Sequence, residues 1–276
     1  MALKLMYITN RPKIAEIAEN VGVDRIFVDL EYIGKQERQG GLDTVKSRHT
    51  LDDVVNVRKA VNKSELLVRC NPIHDKTDAY SSSEEEIDAV IKCGADIVML
   101  PYFKTVAETE RFIKCVGGRA KTMLLVETPE AVSVIDDILR VKGIDEVFVG
   151  LNDLSLGYGK KFMFELLADG TVDNLCNKFG RSGLPYGFGG IASLGKGLLP
   201  SELIIKEQYR LKSSSVILSR SFCNLDRIED VDVVKAIFTN GVRAIRDFEK
   251  LCENDAGYYA ENRRSVITKV KEIVES

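Results

Sequence analysis

Glu127 and Asp153 are the most informative pair of acidic residues in this chain. Each follows a short apolar run, Glu127 after Leu-Leu-Val and Asp153 after Val-Phe-Val-Gly-Leu-Asn. Two carboxylates with no histidine or cysteine beside them favour a hard cation such as Mg2+ or Mn2+. Such a cation keeps waters and leaves positions open for an oxygen-rich substrate. The competing reading is two helix N-caps, because Glu127 precedes Thr128-Pro129 and Asp153 precedes Leu154-Ser155. Two like charges without a cation would raise one pKa, which makes a cation the natural partner. Arg69 ends the run Leu-Leu-Val-Arg. A buried arginine must meet an anion, either a substrate carboxylate or enolate oxygen, or Asp29 or Glu31 at the same end of the fold. His49, in the long loop 33–50, is expected in solvent or as a mobile acid–base group. His74 has the same expectation, and Lys35, Glu37 and Arg38 suit a solvated lid. Residues 190–196, GIASLGK, match seven positions of a phosphate loop, but the eighth is Gly197 where Ser or Thr is needed. A glycine loop over the mouth of the fold fits better. With Ser219-Arg220-Ser221 it would hold a phosphate or carboxylate of a substrate.

Composition narrows the classes. The 276 residues are 45% hydrophobic and 29% charged, with 39 basic against 42 acidic side chains and a net charge of −3. This balance excludes a basic nucleic-acid footprint. No apolar run reaches the roughly 18 residues of a membrane span. The first thirteen residues lack a secretory core and cleavage site, so a cytoplasmic protein is expected. Six scattered cysteines without a C-x-x-C argue against a disulfide scaffold or zinc ribbon, and two histidines exclude H-E-x-x-H zinc chemistry.

The elements that must position these residues alternate. Apolar runs at 3–8, 25–30, 66–69, 97–100, 122–126, 146–149, 186–191 and 216–218 look like strands buried on both faces. Helical patterns lie at 12–20, 51–61, 83–93, 106–116, 129–141, 200–211 and 231–251. Eight β-then-α units in this length predict a (β/α)8 barrel over 1–255, with a doubly wound open sheet as the alternative. Residues 256–276 form an extra helix, with Val266, Val270, Ile273 and Val274 at helical spacing, that caps the barrel or packs on a neighbouring subunit. In such barrels the chemistry sits at the carboxyl ends of the strands. Those ends carry Asp29 and Glu31, Arg69 and Asn71, Glu127, then Gly150, Leu151, Asn152 and Asp153.

The stretches FVDLEY (27–32), LLVRCNP (66–72), GADIVMLPYFKT (94–105), LLVETPEA (124–131) and GIDEVFVGLNDLSLGYG (143–159) resemble the HpcH/HpaI aldolase and citrate lyase β-subunit family. The last, with its Gly-x-x-Asp-Leu-Ser, is the most specific. The resemblance implies a divalent metal (Mg2+, Mn2+ or Co2+) held by Glu127 and Asp153. It implies Arg69 beside a pyruvate-type 2-oxo acid and backbone amides near Leu151-Asn152 at the carboxylate. Asp29, Asn71 and Gly150 would complete the substrate's surroundings. It also implies homo-oligomers, commonly trimers or hexamers. Departures fall on proton transfer: Tyr32 stands where the aldolase branch has a histidine, Lys92 where it has an acidic helper, and Leu125 where a glutamine is common. Asp-Leu-Glu and Arg-x-Asn lean towards the lyase branch. Tyr32, Glu31 or His49 would supply the missing base. The expected activity is a metal-dependent carbon–carbon lyase acting on a 4-hydroxy-2-oxo acid and releasing an aldehyde. The alternatives are a citrate- or malyl-CoA-type thioester lyase, or a barrel that binds a 2-oxo acid without cleaving it.

Overall fold

A computed structural model describes residues 2–35, 49–254 and 257–276. Eight parallel strands close a barrel: β1 (Lys4–Ile8), β2 (Arg25–Asp29), β3 (Glu65–Arg69), β4 (Ile97–Leu100), β5 (Lys121–Val126), β6 (Glu146–Val149), β7 (Tyr186–Ile191) and β8 (Ser215–Leu218). Each pairs with the next, and β8 returns to β1. The (β/α)8 expectation holds, and the open sheet is excluded because no strand is left at an edge.

Side chains alternate in and out along a strand, and this sorts the barrel interior into layers. The middle layer is apolar: Met6, Phe27, Leu67, Ile97, Met99, Met123, Leu125 and Phe148 form one buried cluster. Two residues earlier on β2 and β6 the inward positions are Arg25 and Glu146, and β3 adds Glu65. Arg25 is fully buried and donates to both Glu146 oxygens and, at 2.8 Å, to Glu65. Two residues later the inward positions are Asp29, Arg69 and Glu127, followed on β6 by Gly150. The parity that buries Phe27 and Leu125 therefore also carries the reactive groups to the carboxyl-end mouth.

The outward faces of the strands pack on the surrounding helices: α1 (Pro12–Asn20), α2 (Leu51–Ala60), α3 (Ser83–Lys92), α4 (Val106–Val116), α5 (Pro129–Ser133), α6 (Ile135–Ile138), α7 (Leu151–Gly157), α8 (Glu165–Ala168), α9 (Thr171–Arg181), α10 (Ser201–Arg210) and α11 (Val231–Asn254). The single helix expected at 129–141 is two short ones. Val134 leaves helical geometry at ψ 16°, and Ser133 Oγ donates back to the Glu130 carbonyl within a β-branched run. The helix α9 was not among the expected helical stretches, although Val172, Leu175, Cys176 and Phe179 line its buried face. Its glycine and two asparagines blunt the pattern.

The C-terminal helix α12 (Tyr259–Glu275) packs on its own barrel. Val266 and Val270 are buried, Asn262 Nδ2 donates to the Leu203 carbonyl and to Glu207, and Arg263 donates to the carbonyls of Leu167 and Ala168. The side of α12 that carries Val266 and Val270 is thus covered within the chain, while Ile267 is exposed. Among the described residues no helix is long and apolar enough to cross a membrane.

Candidate active site

Asp29 and Arg69 are register partners on adjacent strands, so their side chains meet across the mouth. Arg69 Nε donates to Asp29 Oδ1 at 2.8 Å and Nη2 to Oδ2 at 2.7 Å, a two-pronged pair. Lys35 Nζ reaches the same Asp29 Oδ2 at 2.5 Å. Glu31 Oε2 lies 3.4 Å from Arg69 and 3.8 Å from Lys35. Burial opposes the charge on Asp29, but Arg69 and Lys35 outweigh it and hold the carboxyl well below its ordinary range. Burial likewise disfavours charged Arg69, and Asp29 and Glu31 more than offset it. The anion expected for Arg69 is therefore present within the protein, and the arginine arrives at the cavity already oriented.

Glu127 follows β5, level with Gly150 after β6. A Cβ at Gly150 would sit 2.6 Å from Glu127 Oε2 and 2.9 Å from Glu127 Cβ. Only glycine lets that carboxylate turn inward. The backbone N–H of Tyr102 donates to Glu127 Oε1 at 3.0 Å, from a residue with φ +48°. Glu127 is buried, and burial, Glu31 and Asp153 push its carboxyl well above its ordinary value, with Arg69 opposing. The N-cap reading fails for both acids. Thr128 caps α5 by accepting from Ala131, and Asp153 lies inside the first turn of α7, whose cap residue is Gly150.

Asp153 and Glu127 line the same cavity of about 570 Å3, with Asp29, Lys35, His49, Arg69, Gly150, Leu151 and Asn152. Four carboxylates (Asp29, Glu31, Glu127, Asp153) face two cations (Arg69, Lys35) on this side. A divalent cation would restore that balance. Among the described residues no group of three or more His, Cys, Asp or Glu is arranged around one ion. A two-carboxylate site with the remaining positions left to oxygen ligands fits Mg2+. Arg11, Arg220 and Asp226, which follow β1 and β8, line the same cavity.

Other expected residues have partners that the sequence did not foretell. Glu31, Tyr32 and Asn71 do not line the cavity. Asn71 Oδ1 accepts from the backbone N–H groups of Tyr32 and Ile33, and its amide donates to Glu86, so it fixes the loop after β2. Tyr32 Oη donates to the His49 carbonyl. His49 is buried, not solvent-exposed, because its ring inserts beside β2 and accepts from the Asp29 N–H. The His74 ring lies within 2.7 Å of the Pro72 and Ser81 carbonyls, away from the cavity. Lys35, read as part of a solvated lid, is instead buried by its pair with Asp29. Glu37 and Arg38 lie outside the described residues. After Lys196 the helix begins only at Ser201, so the GIASLGK run is not a phosphate loop.

A search of curated protein sequences finds no match. Solved structures do resemble the fold. An HpcH/HpaI aldolase from Desulfitobacterium hafniense DCB-2 superposes with a TM-score of 0.60 at 16% identity, covering 88% of this chain and 93% of its own. A protein of the HpcH/HpaI aldolase/citrate lyase family from Burkholderia cenocepacia J2315 gives 0.62 at 14% identity, covering 88% and 94%. The citrate synthase SbnG gives 0.60 at 17%, covering 79% and 85%. The sequence itself matches the HpcH/HpaI aldolase/citrate lyase family over residues 4–163, from β1 to just beyond α7 and through every strand that supplies a charged group to the carboxylate side of the cavity. The chain belongs to the HpcH/HpaI aldolase/citrate lyase family.

Proposed function

We propose that this protein is a divalent-metal-dependent carbon–carbon lyase that cleaves or forms a 4-hydroxy-2-oxo acid through a pyruvate enolate. The observation that carries the reading is the buried Glu127 beside Glu31 and Asp153, with a pre-oriented Arg69 on the same cavity. Glu127 and Asp153 would hold Mg2+, Mn2+ or Co2+. Such a metal, when bound, acts as a Lewis acid on the carboxylate and keto oxygens. Arg69 offers its positive charge where the enolate oxygen develops, and Asp29 keeps it aimed there. Phe27, 5.5 Å below the guanidinium, and Met99, Leu125 and Phe148 make a dry floor under the reacting carbons. Gly150, Leu151 and Asn152 line the wall next to the carboxylates.

The test is pyruvate release from a 4-hydroxy-2-oxo acid with Mg2+ and in excess EDTA. Glu127→Gln and Asp153→Asn are each expected to lower kcat/KM at least about 100-fold, some 2.7 kcal/mol of transition-state stabilisation. They should also abolish the rise in Tm that Mg2+ with pyruvate gives the unaltered protein. Full activity in EDTA would overturn the reading. A citrate- or malyl-CoA-type thioester lyase would share the carboxylate side and use Arg11 and Arg220 for its anionic second substrate. A larger Mg2+-dependent Tm rise with CoA thioesters than with pyruvate would favour it. Assembly into trimers or hexamers belongs to the same proposal, and light scattering measures it.

A further inference from the structure

His49 is seventeen residues beyond Tyr32 in sequence, yet its ring lies against the end of β2 and lines the cavity with Arg69 and Glu127. Its position follows from the barrel. The pairing of β1 with β2 ends at Ile8 opposite Phe27. The next inward residue, Asp29, extends past that pairing, and its N–H is taken by His49 Nδ1 at 3.0 Å. A backbone N–H can only donate. Nδ1 therefore carries the lone pair, and the proton of the neutral ring sits on Nε2.

Three further contacts hold this arrangement. Tyr32 Oη donates to the His49 carbonyl. Thr50, the next residue, closes a capping box with Asp53 at the start of α2. Asp29, whose N–H orients the imidazole, is itself clamped by Arg69 and Lys35. Among the described residues, the charged groups that act most strongly on the ring are Asp29, Asp53, Lys35 and Arg69. Burial pushes the imidazole below its ordinary pKa, with Lys35 and Arg69 adding to that and the two aspartates opposing.

We propose that His49 is a catalytic hydrogen-bond donor, presenting Nε2–H to an acceptor oxygen of the bound substrate, and is not the base that removes the substrate's proton. The role of that oxygen as keto, carboxylate or developing alkoxide rests on the lyase reading. The geometry of the ring does not. Nε2 already bears a proton and Nδ1 is occupied, so neither nitrogen can accept one while the Asp29 contact persists. Tyr32 is then a positioning residue that acts through the His49 backbone.

Two substitutions and one spectrum test this. In His49→Asn the side-chain oxygen can still accept from the Asp29 N–H, but the distal donor is gone. kcat/KM for the 4-hydroxy-2-oxo acid should fall about 100-fold, as when one oxyanion donor is removed. In His49→Gln an amide N–H reaches the distal position without a titrating ring. It should recover most of that loss and keep the pH profile of the unaltered enzyme. Equal loss in both variants, with the acid limb of the profile abolished, would identify a general base and overturn the proposal. The spectrum is a nitrogen-15 correlation of the two histidines, assigned with His49→Asn, recorded with and without Mg2+ and pyruvate. A neutral ring protonated at Nε2 in both states is expected. A proton on Nδ1, or an imidazolium in the complex, would overturn the proposal even if no tested 4-hydroxy-2-oxo acid is cleaved. Absence of cleavage with the expected tautomer would count against the lyase reading alone.

Discussion

Gly150 decides how a carboxylate reaches the cavity. The position opposite Glu127 must lack a side chain, because a Cβ there would meet Glu127 Oε2 at 2.6 Å. Gly150→Ala is expected to push the carboxylate away from Asp153. The overpacking should cost about 1–3 kcal/mol, and the Mg2+-dependent rise in Tm should vanish in a thermal-shift titration. An unchanged metal response in a folded Gly150→Ala protein would show that Glu127 does not need that space. The same scale separates look-alike residues. Asn71 is buried beside the cavity, but its carbonyl is taken by two loop N–H groups and its amide by Glu86. Lys35 was expected in solvent and is instead the third member of the Asp29–Arg69 pair.

At the scale of elements, the start of each helix sets where the mouth loops end. Thr50, Ser82 and Thr105 each close a capping box, with Asp53, Glu85 and Glu108. Each box satisfies N–H groups that the first helical turn leaves open. Thr105→Ala should cost about 1 kcal/mol in urea unfolding and leave metal binding unchanged, because the loop before α4 holds Glu127 through the backbone N–H of Tyr102, three residues ahead of the cap. A loss of Mg2+ response in that variant would show that the cap also positions Tyr102. The missed helix α9 and the broken pair α5 and α6 belong to this scale too. Periodicity reports which face is buried, and a local side-chain bond such as Ser133 to Glu130 decides whether the backbone continues.

For the whole molecule, the barrel has a charged group at each end and an apolar middle. The lower end is closed by Arg25, fully buried between Glu146 and Glu65, with Lys121 on Glu65. Removing one partner of such a buried network costs about 3–5 kcal/mol, since the others lose their counter-charge. Arg25→Ala should lower the urea-unfolding free energy by that amount at pH 7. Burial would raise the Glu65 carboxyl, but Lys121 and Arg25 hold it below its ordinary value. A depressed carboxyl stabilises above its unfolded pKa of about 4.3 and loses that contribution as pH falls through the folded value. The gap between Arg25→Ala and the unaltered protein should therefore narrow below about pH 4. A constant gap would mean that the arginine acts through packing alone.

The sequence by itself determined the eight-unit alternation, the family, and the identity of the groups at the strand ends. The alternation follows from periodicity along the chain, which survives without any knowledge of neighbours, and the family from the resemblance of five local stretches between residues 27 and 159. It also named Glu127, Asp153 and Arg69, because charge at the end of an apolar strand is visible locally. Only the tertiary structure decided what those charges meet. Asp29 and Arg69 pair because the barrel register sets them side by side, and Glu127 turns inward because Gly150 is level with it on β6. His49, distant in sequence and expected in a loop, enters the site because β1 stops pairing one step before Asp29 and leaves an N–H for its ring. Hydrogen-bond partners are chosen across strands, and no local pattern carries that choice.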